Sequence, residues 1–101
     1  MNKKIVDEVN TGVELIAEER ARQQKIGYDK THDLRHPTEA FVNAAAAYLY
    51  AALGETSKGE SLWPWDSLYF KPKSAKRNLV KAGALIAAAI DRLNEAEKAH
   101  K

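Results

Sequence analysis

A nearly continuous apolar run in the middle of the chain constrains the fold most strongly. Residues 41–53 consist of alanines, aliphatic residues and aromatics, interrupted by one amide, Asn43. A helix that is apolar on nearly every face has to be covered by other helices or by a second subunit. Thr38 suits an N-cap, Glu39 suits the first turn, and Gly54 is a typical stop. The run therefore predicts a buried helix that begins at Thr38 and ends at Gly54.

An amphipathic pattern precedes this helix. Glutamates separate apolar residues that recur at steps of four, four and three: Ile5, Val9, Val13 and Ile16. This spacing predicts a helix with one buried stripe from residue 3 to about residue 27. Gly12 interrupts it at a cost of about 1 kcal/mol relative to alanine. The pattern fits either one helix or a loose first turn before a firmer helix.

The buried stripe of this first helix becomes polar in its second half. The same steps continued beyond Ile16 reach Arg20 and then Gln23 or Gln24. Polar residues at positions that should face the interior are a local inconsistency, and such inconsistencies often mark functional sites. The alternative is that the helix leaves the core at this point.

A third helix is predicted from Ser74, as N-cap, to about Ala99. Its larger apolar residues and one glycine alternate at steps of four and three: Leu79, Gly83, Ile86, Ile90 and Leu93. This is a heptad-like seam. The alanines of residues 82–89 lie beside it and allow close approach of another helix.

Residues 55–73 lack a sustained period and separate the second helix from the third. The segment is longer than most loops of compact domains, and such segments are often functional or contain a short helix, for which residues 59–62 are a candidate. We therefore expect one all-α domain, residues 1–101, of three antiparallel helices with a long aromatic loop between helices 2 and 3. We also expect a homo-oligomer, because residues 41–53 and 82–89 present more apolar surface than three helices bury.

Composition limits the classes of function. The 101 residues contain 16 Lys and Arg against 14 Asp and Glu, a net charge of +2, and no cysteine. The absence of cysteine excludes disulfides and thiolate metal sites. The N-terminus lacks the apolar core of a signal peptide, and residues 44–53 are too short to span a bilayer. We expect a cytoplasmic protein that contacts no membrane, and nucleic-acid binding would need a broader basic face.

Cations crowd the predicted start of the third helix. Five of them, with no acid among residues 71–81, are Lys71, Lys73, Lys76, Arg77 and Lys81. Free N–H groups and the macrodipole add positive charge at a helix N-terminus, so phosphate is the natural partner. The alternative is a solvated basic surface. Just before these cations, Trp63 and Trp65 are candidates to stack on a base. The alternative is that such aromatics cover one end of the core, which is favoured for Trp63 and Phe70, whereas Trp65 suits either role.

The cations and tryptophans would form one side of a ligand pocket. Polar residues on and after the first helix are candidates for its second side. We expect Arg20, Gln24, His32 and Asp33 to orient a ligand, with the arginine on phosphate and the His-Asp pair on sugar or base edges. The alternative for His32 and Asp33 is a loop or capping hydrogen bond. We predict no metal site, because the histidines lack a third ligand, and no cofactor.

Several motifs together resemble a family of small phage and prophage proteins. The resemblance extends from about residue 14 to residue 93 and is carried by Glu19-Arg20-x-Arg22-Gln23, His32-Asp33, Ala44-Ala45-Ala46-Ala47-Tyr48, Trp63-Pro64-Trp65, Lys71-Pro72-Lys73, Leu79-Val80-Lys81-Ala82-Gly83-Ala84-Leu85-Ile86 and Ile90-Asp91-Arg92-Leu93. Members often carry an acidic residue near the position of Ala89. The resemblance implies a phage setting, hence a bacterial host cell.

Phage proteins of this size include counter-defence sponges, which sequester nucleotide signals of bacterial immunity. We therefore predict a non-catalytic protein that binds a cyclic oligonucleotide or an ADP-ribose-type signal. The alternative is a nucleotide pyrophosphohydrolase of the all-helical MazG-like kind, which holds magnesium with carboxylates from two helices. The candidates would be Glu14, Glu18, Glu19 and Asp91, but the chain lacks that family's Glu-x-x-Glu and Glu-x-x-Asp motifs. Catalysis is the less favoured prediction.

Overall fold

The structure is a computed structural model that describes residues 10–25 and 37–99. These residues form α1 (Gly12–Lys25), α2 (Thr38–Ala52), α3 (Thr56–Leu62), a 3-10 helix (Ser67–Tyr69) and α4 (Ala75–Ala99). No strand occurs in the two described ranges, so the all-helical prediction is confirmed for them. The predicted antiparallel arrangement of three helices stays a prediction.

A reciprocal cap fixes the start of α1. The Thr11 hydroxyl accepts a hydrogen bond from the Glu14 N–H at 3.2 Å, and the Glu14 carboxylate accepts one from the Thr11 N–H at 2.8 Å. This Thr-x-x-Glu capping box satisfies two N–H groups that a helix start leaves unpaired. Within the described residues, the first helix therefore begins at Gly12. The helical turns predicted before residue 10 lie outside the described residues.

The starts of the other long helices follow local signals. Ser74 is the N-cap of α4, as predicted, and its hydroxyl accepts a hydrogen bond from the Arg77 N–H at 3.2 Å. α2 begins at Thr38 as predicted, but Thr38 is not its N-cap, because Pro37 occupies the cap position and no side chain caps that end. The extended φ and ψ of Pro37 position the chain for the first turn without such a bond.

The core lies between α2 and α4. Phe41 and Tyr48 are its largest members, and the others are one leucine and five alanines: Ala44, Ala45, Ala82, Leu85, Ala88 and Ala89. Side chains that end at Cβ let two helices approach closely enough for dense packing. The alanine faces expected to mediate association are thus buried within the chain.

The heptad-like seam of α4 does not form the buried face. Leu79 and Ile90 are each 52% exposed, and Ile86 and Leu93 are nearly as exposed. The buried face lies to one side, at Val80, Ala84, Leu85 and Ala88, and Leu85 and Ala88 belong to the core that α4 shares with α2. Val42 and Leu49 of α2 are also exposed, so the described helices do not bury α2 on every face, and its cover by a second subunit stays a prediction.

The predicted loop between the second and third long helices contains ordered helical structure. α3 packs on α2, and a Cβ at Gly59 would collide with the Ala47 carbonyl oxygen, so glycine permits this close approach. After α3, Trp63, Trp65 and Phe70 pack against the core cluster. The interpretation of these aromatics as a cover for one end of the core is confirmed.

α1 packs on α4 rather than on α2. A Cβ at Gly83 would lie 2.5 Å from Ile16 Cδ1, so the missing side chain on α4 makes room for the isoleucine of α1. Beyond Ile16, the side chains that α1 buries are polar: Glu19, Arg20 and Gln23. The prediction that polar residues occupy the interior positions of α1 beyond Ile16 is confirmed at Arg20 and Gln23.

Candidate functional site

A buried carboxylate gathers charged groups from two helices. Glu19 is 2% exposed. It accepts hydrogen bonds from Arg22 Nε at 2.9 Å, Arg22 Nη2 at 2.6 Å and Arg77 Nη2 at 2.7 Å. Gln23 Nε2 donates a fourth, at 3.2 Å, to Glu19 Oε2. Glu19 therefore ties α1 to the first turns of α4 and fixes the orientation of three side chains.

The electrostatics of Glu19 follow from these partners. Burial alone raises the pKa of its carboxyl group, but the hydrogen bond and charge of Arg22, the Gln23 amide and the charge of Arg77 outweigh burial. The pKa of Glu19 consequently lies below its ordinary value of 4.5. The carboxylate is ionised at neutral pH and neutralises part of the arginine charge.

The segment before α4 is held by two side-chain clamps. Asn78 is 1% exposed; its Oδ1 accepts from the Lys73 N–H at 2.7 Å and its Nδ2 donates to the Lys73 carbonyl at 3.1 Å. The Tyr48 hydroxyl accepts from the Lys71 N–H at 2.9 Å. The backbone that carries Lys71 and Lys73 is therefore fixed against both α2 and α4.

Lys81 completes this attachment from α4. Its ammonium group donates to the Lys71 carbonyl at 2.7 Å and lies 5.3 Å from the centre of the Tyr48 ring. Burial lowers the pKa of Lys81, and the charge of Glu19 raises it. The nearby cations lower this pKa further: Lys73, Arg22 and Arg77. As a result, the pKa of Lys81 lies below its ordinary value of 10.5. A partly desolvated ammonium group among other cations favours an anion as an additional neighbour.

A cavity of about 130 Å³ opens beside these groups. Residues from α1, α2, the aromatic segment and α4 line it: Glu19, Arg22, Gln23, Tyr48, Trp63, Tyr69, Lys71, Lys81 and Leu85. Cations, aromatic rings and one amide thus converge on a single space. Such a combination can bind a ligand that has both a flat ring and negative charge.

One polar atom of a residue that lines the cavity is buried without a partner. Gln23 is 4% exposed, and its Oε1 has no hydrogen-bond partner among the described residues. The large majority of buried side-chain oxygens accept a hydrogen bond from some donor, so an exception calls for an explanation.

Three of the ten predicted ligand-binding residues line the cavity: Trp63, Lys71 and Lys81. His32 and Asp33 lie outside the described residues. The other five do not line it. Arg20 pairs with Asp91 at 3.0 Å, Arg77 pairs with Glu19, and Trp65 packs edge-on against Phe41 with ring centres 5.5 Å apart. The side chains of Gln24 and Lys73 are exposed.

The sequence pattern gave no binding role to three cavity residues, Gln23, Tyr48 and Leu85, and it made Glu19 a candidate only for magnesium. A signal existed for Gln23, because the continued apolar stripe of α1 reaches either glutamine, and the structure buries Gln23 and exposes Gln24. For Tyr48 no signal existed, because its hydroxyl partner is the backbone of Lys71, 23 residues away.

The carboxylates considered for magnesium have other partners. Glu14 belongs to the capping box, Glu19 binds two arginines, and Asp91 pairs with Arg20. No group of three His, Cys, Asp or Glu side chains is placed to hold a metal ion within residues 10–25 and 37–99. These carboxylates are therefore not assembled as a two-helix magnesium site in the described part of the chain.

Comparisons with protein-family models, with curated proteins and with solved structures find no match to this chain. Among the described helices, none has the length and apolarity that crossing a membrane requires.

Proposed function

We propose that the cavity binds a nucleotide-derived, phosphate-bearing ligand and sequesters it without chemical change. Three cations and three aromatic rings meet around one space, and this observation carries the proposal: Arg22, Lys71, Lys81, Tyr48, Trp63 and Tyr69. The cations suit phosphate and the rings suit a base.

The charge balance of the cavity favours an anion. Glu19 compensates part of the charge of Arg22 and Arg77. Lys71 and Lys81 form no salt bridge within the described residues. Two uncompensated ammonium groups beside one cavity support phosphate binding more than binding of a neutral molecule.

The aromatic wall is held in place before any ligand arrives. Trp63 Nε1 donates to the Asp66 carbonyl at 2.9 Å. Its ring packs edge-on against Tyr48 at 5.6 Å and tilted against Phe70 at 5.3 Å. A ring fixed in this way loses little conformational entropy on stacking, which contributes about 1–3 kcal/mol per base.

The size of the cavity limits what one chain can enclose. Small-molecule sites usually have volumes of roughly 300–1,000 Å³, whereas this cavity has about 130 Å³. One chain would then enclose a single part of a cyclic oligonucleotide or an ADP-ribose derivative. We propose that a second copy of the chain covers the remainder, in a homo-oligomer whose apolar contacts include the exposed side of α4.

The resemblance to phage proteins supports a role for this binding in a phage-infected bacterial cell. A phage protein that sequesters a cyclic oligonucleotide or an ADP-ribose-type immune signal would act against host defence, in the cytoplasm of the bacterial host. Sequestration is favoured over pyrophosphohydrolysis because Glu19 and Asp91 already pair with arginines.

Thermal-shift measurements against cyclic dinucleotides, cyclic ADP-ribose isomers and AMP test this proposal. We expect at least one compound to raise Tm in proportion to the logarithm of its concentration, and to be recovered chemically unchanged after the protein is heat-denatured. No shift with the whole panel would refute ligand binding. Magnesium-dependent release of pyrophosphate from nucleoside triphosphates would refute sequestration in favour of the hydrolase.

A further inference from the structure

α4 carries an exposed apolar stripe along most of its length. Its four members recur at steps of seven, four and three, so they lie on one face of the helix: Leu79, Ile86, Ile90 and Leu93. Each of them is between 44% and 52% exposed. Gly83 belongs to the same line, but Ile16 of α1 packs there. Large apolar residues in a line on an exposed helix face indicate a surface that binds another helix.

Charged side chains at the two ends of this stripe have opposite sign. Lys76 precedes Leu79 by three residues, and Glu97 follows the last leucine of the stripe by four, so both extend the same face. Both are exposed, and neither forms a salt bridge within the described residues. The face therefore has a basic N-terminal end, an apolar middle and an acidic C-terminal end. Such a face is complementary to a second copy of itself in the antiparallel direction.

We propose that two copies of the chain pair through this stripe, with their α4 helices antiparallel and a two-fold axis near Ile86. Leu79 and Leu93 each lie seven residues from Ile86, so the axis brings Leu79 of one copy to Leu93 of the other. Parallel helices would bring the two Lys76 side chains together, and likewise the two Glu97, and would align the helix dipoles. The antiparallel direction avoids these repulsions, and such an isologous contact closes after two copies.

α2 has an exposed apolar line as well, but it lacks this complementarity. The line consists of Val42 and Leu49, with Leu53 just after the helix. Glu39 is the one charged residue of α2, so pairing two copies of α2 brings no opposite charges together. A contact between α2 of one copy and α4 of the next is heterologous and does not close after two copies. Charge and symmetry therefore both favour α4.

The stripe is separate from the cavity. Lys81, which lines the cavity, is two positions after Leu79, and Leu85, which also lines it, directly precedes Ile86 in the chain. Residues at such spacings do not share a helix face. Pairing through α4 therefore needs no ligand and leaves both cavities outside the interface. The inference thus goes beyond the proposed function: it gives the homo-oligomer one interface, and a copy that covers a bound ligand meets a different surface.

Sedimentation equilibrium of the ligand-free chain from about 1 μM to 1 mM measures the pairing. The variant is Ile86→Glu, which places two like charges near the axis, and the control is Leu49→Glu, on the exposed line of α2. The two replaced side chains have similar exposure, 44% and 41%. We expect a monomer–dimer equilibrium for the wild-type chain and for Leu49→Glu. The dissociation constant of Ile86→Glu should be at least about tenfold larger, with equal helicity of all three chains by circular dichroism.

Two charge reversals test the direction of the pairing, and both change exposed side chains, so they keep the fold even if Ile86→Glu does not. Lys76→Glu or Glu97→Lys alone sets like charges against each other in the antiparallel pair. We expect about threefold weaker pairing at low ionic strength, where exposed ion pairs are least screened. The double variant restores opposite charges between the copies and should regain the wild-type dissociation constant. Along one helix the two residues lie about 30 Å apart, so this recovery does not arise within a single chain.

The outcomes separate this inference from the proposed function. A wild-type chain that stays monomeric up to the highest concentration would overturn the pairing, and so would a dimer that Leu49→Glu dissociates more than Ile86→Glu does. A double reversal that does not regain the wild-type constant would overturn the antiparallel direction. Ligand binding by the cavity is tested apart from these measurements, by the thermal-shift panel. No thermal shift together with a dimer that Ile86→Glu dissociates would refute the proposed function and support the pairing.

Discussion

Replacing Glu19 by glutamine tests the charged junction between α1 and α4. The substitution keeps the size of the side chain and removes its charge. Three hydrogen bonds from arginines lose their charged acceptor, and each bond of this kind contributes about 1.5–3 kcal/mol. The new amide also places a donor group against the donors of Arg22, Arg77 and Gln23.

The expected loss in the free energy of unfolding is smaller than the sum of these hydrogen-bond contributions. Breaking a buried ion pair costs about 3–5 kcal/mol when a buried charge is left behind. Here the charges left behind are the arginines, whose side chains are 51% and 41% exposed and can regain water. We therefore expect a loss of about 2–3 kcal/mol in the free energy of unfolding, or roughly 10–20 °C in Tm.

Urea unfolding at two pH values measures this effect, with Glu18→Gln as the matched control. Glu18 is the preceding residue, is exposed, and its Oε2 accepts a hydrogen bond from Asn10 Nδ2 at 3.3 Å. Because the pKa of folded Glu19 lies below 4.5, its contribution is present above about pH 4.5 and is lost as the pH falls through the folded pKa. The wild-type protein should therefore exceed Glu19→Gln in stability by less at about pH 3 than at pH 7. A Glu19→Gln loss equal to that of Glu18→Gln, or one that does not change with pH, would refute the reasoning.

Three further perturbations follow from the clamps, the close helix contact and the partly buried lysine. Asn78→Leu leaves both the N–H and the carbonyl of Lys73 without their partner, and we expect a loss of about 2 kcal/mol in urea unfolding; an unchanged midpoint would contradict the clamp. Gly59→Ala gains about 1 kcal/mol in helix propensity but collides with a backbone oxygen, that of Ala47, so calorimetric Tm should fall, and a rise would contradict the close approach. Anion affinity should fall as the pH rises through the pKa of Lys81, which burial holds below 10.5; Lys81→Arg should move that fall to higher pH, and a flat profile up to pH 10.5 would contradict the role of this ammonium group.

Helix ends were the most predictable part of the fold, because their signals are local. Ser74 caps α4 through its own hydroxyl, and α2 begins at Thr38 as predicted. The buried face of α4 was not predictable in the same way. Leu79 and Ile86 have the more apolar side chains, but the smaller alanines allow closer contact with α2, and packing follows shape as well as hydrophobicity.

The candidate site also has a part that was predictable from the sequence and a part that was not. A basic helix start next to tryptophans can be read from the sequence, and Trp63, Lys71 and Lys81 do line one cavity. Which arginine reaches that cavity depends on the rotation of α1 against α4. Arg22 lines it, while Arg20 points to Asp91, and this rotation is set by the fit of Ile16 against Gly83, a contact between distant segments.

Calorimetric titration of the wild-type protein, Lys81→Met and Lys76→Met with cyclic dinucleotides and cyclic ADP-ribose isomers tests the central claim most directly. Lys81 lines the cavity, whereas Lys76 is an exposed lysine near the same end of α4 that does not. We predict saturable binding of at least one compound to the wild-type protein and to Lys76→Met, and at least about tenfold weaker binding to Lys81→Met, equivalent to about 1.4 kcal/mol, with its fold retained by circular dichroism. Equal affinities of a folded Lys81→Met and the wild-type protein would contradict the assignment of this cavity as the binding site.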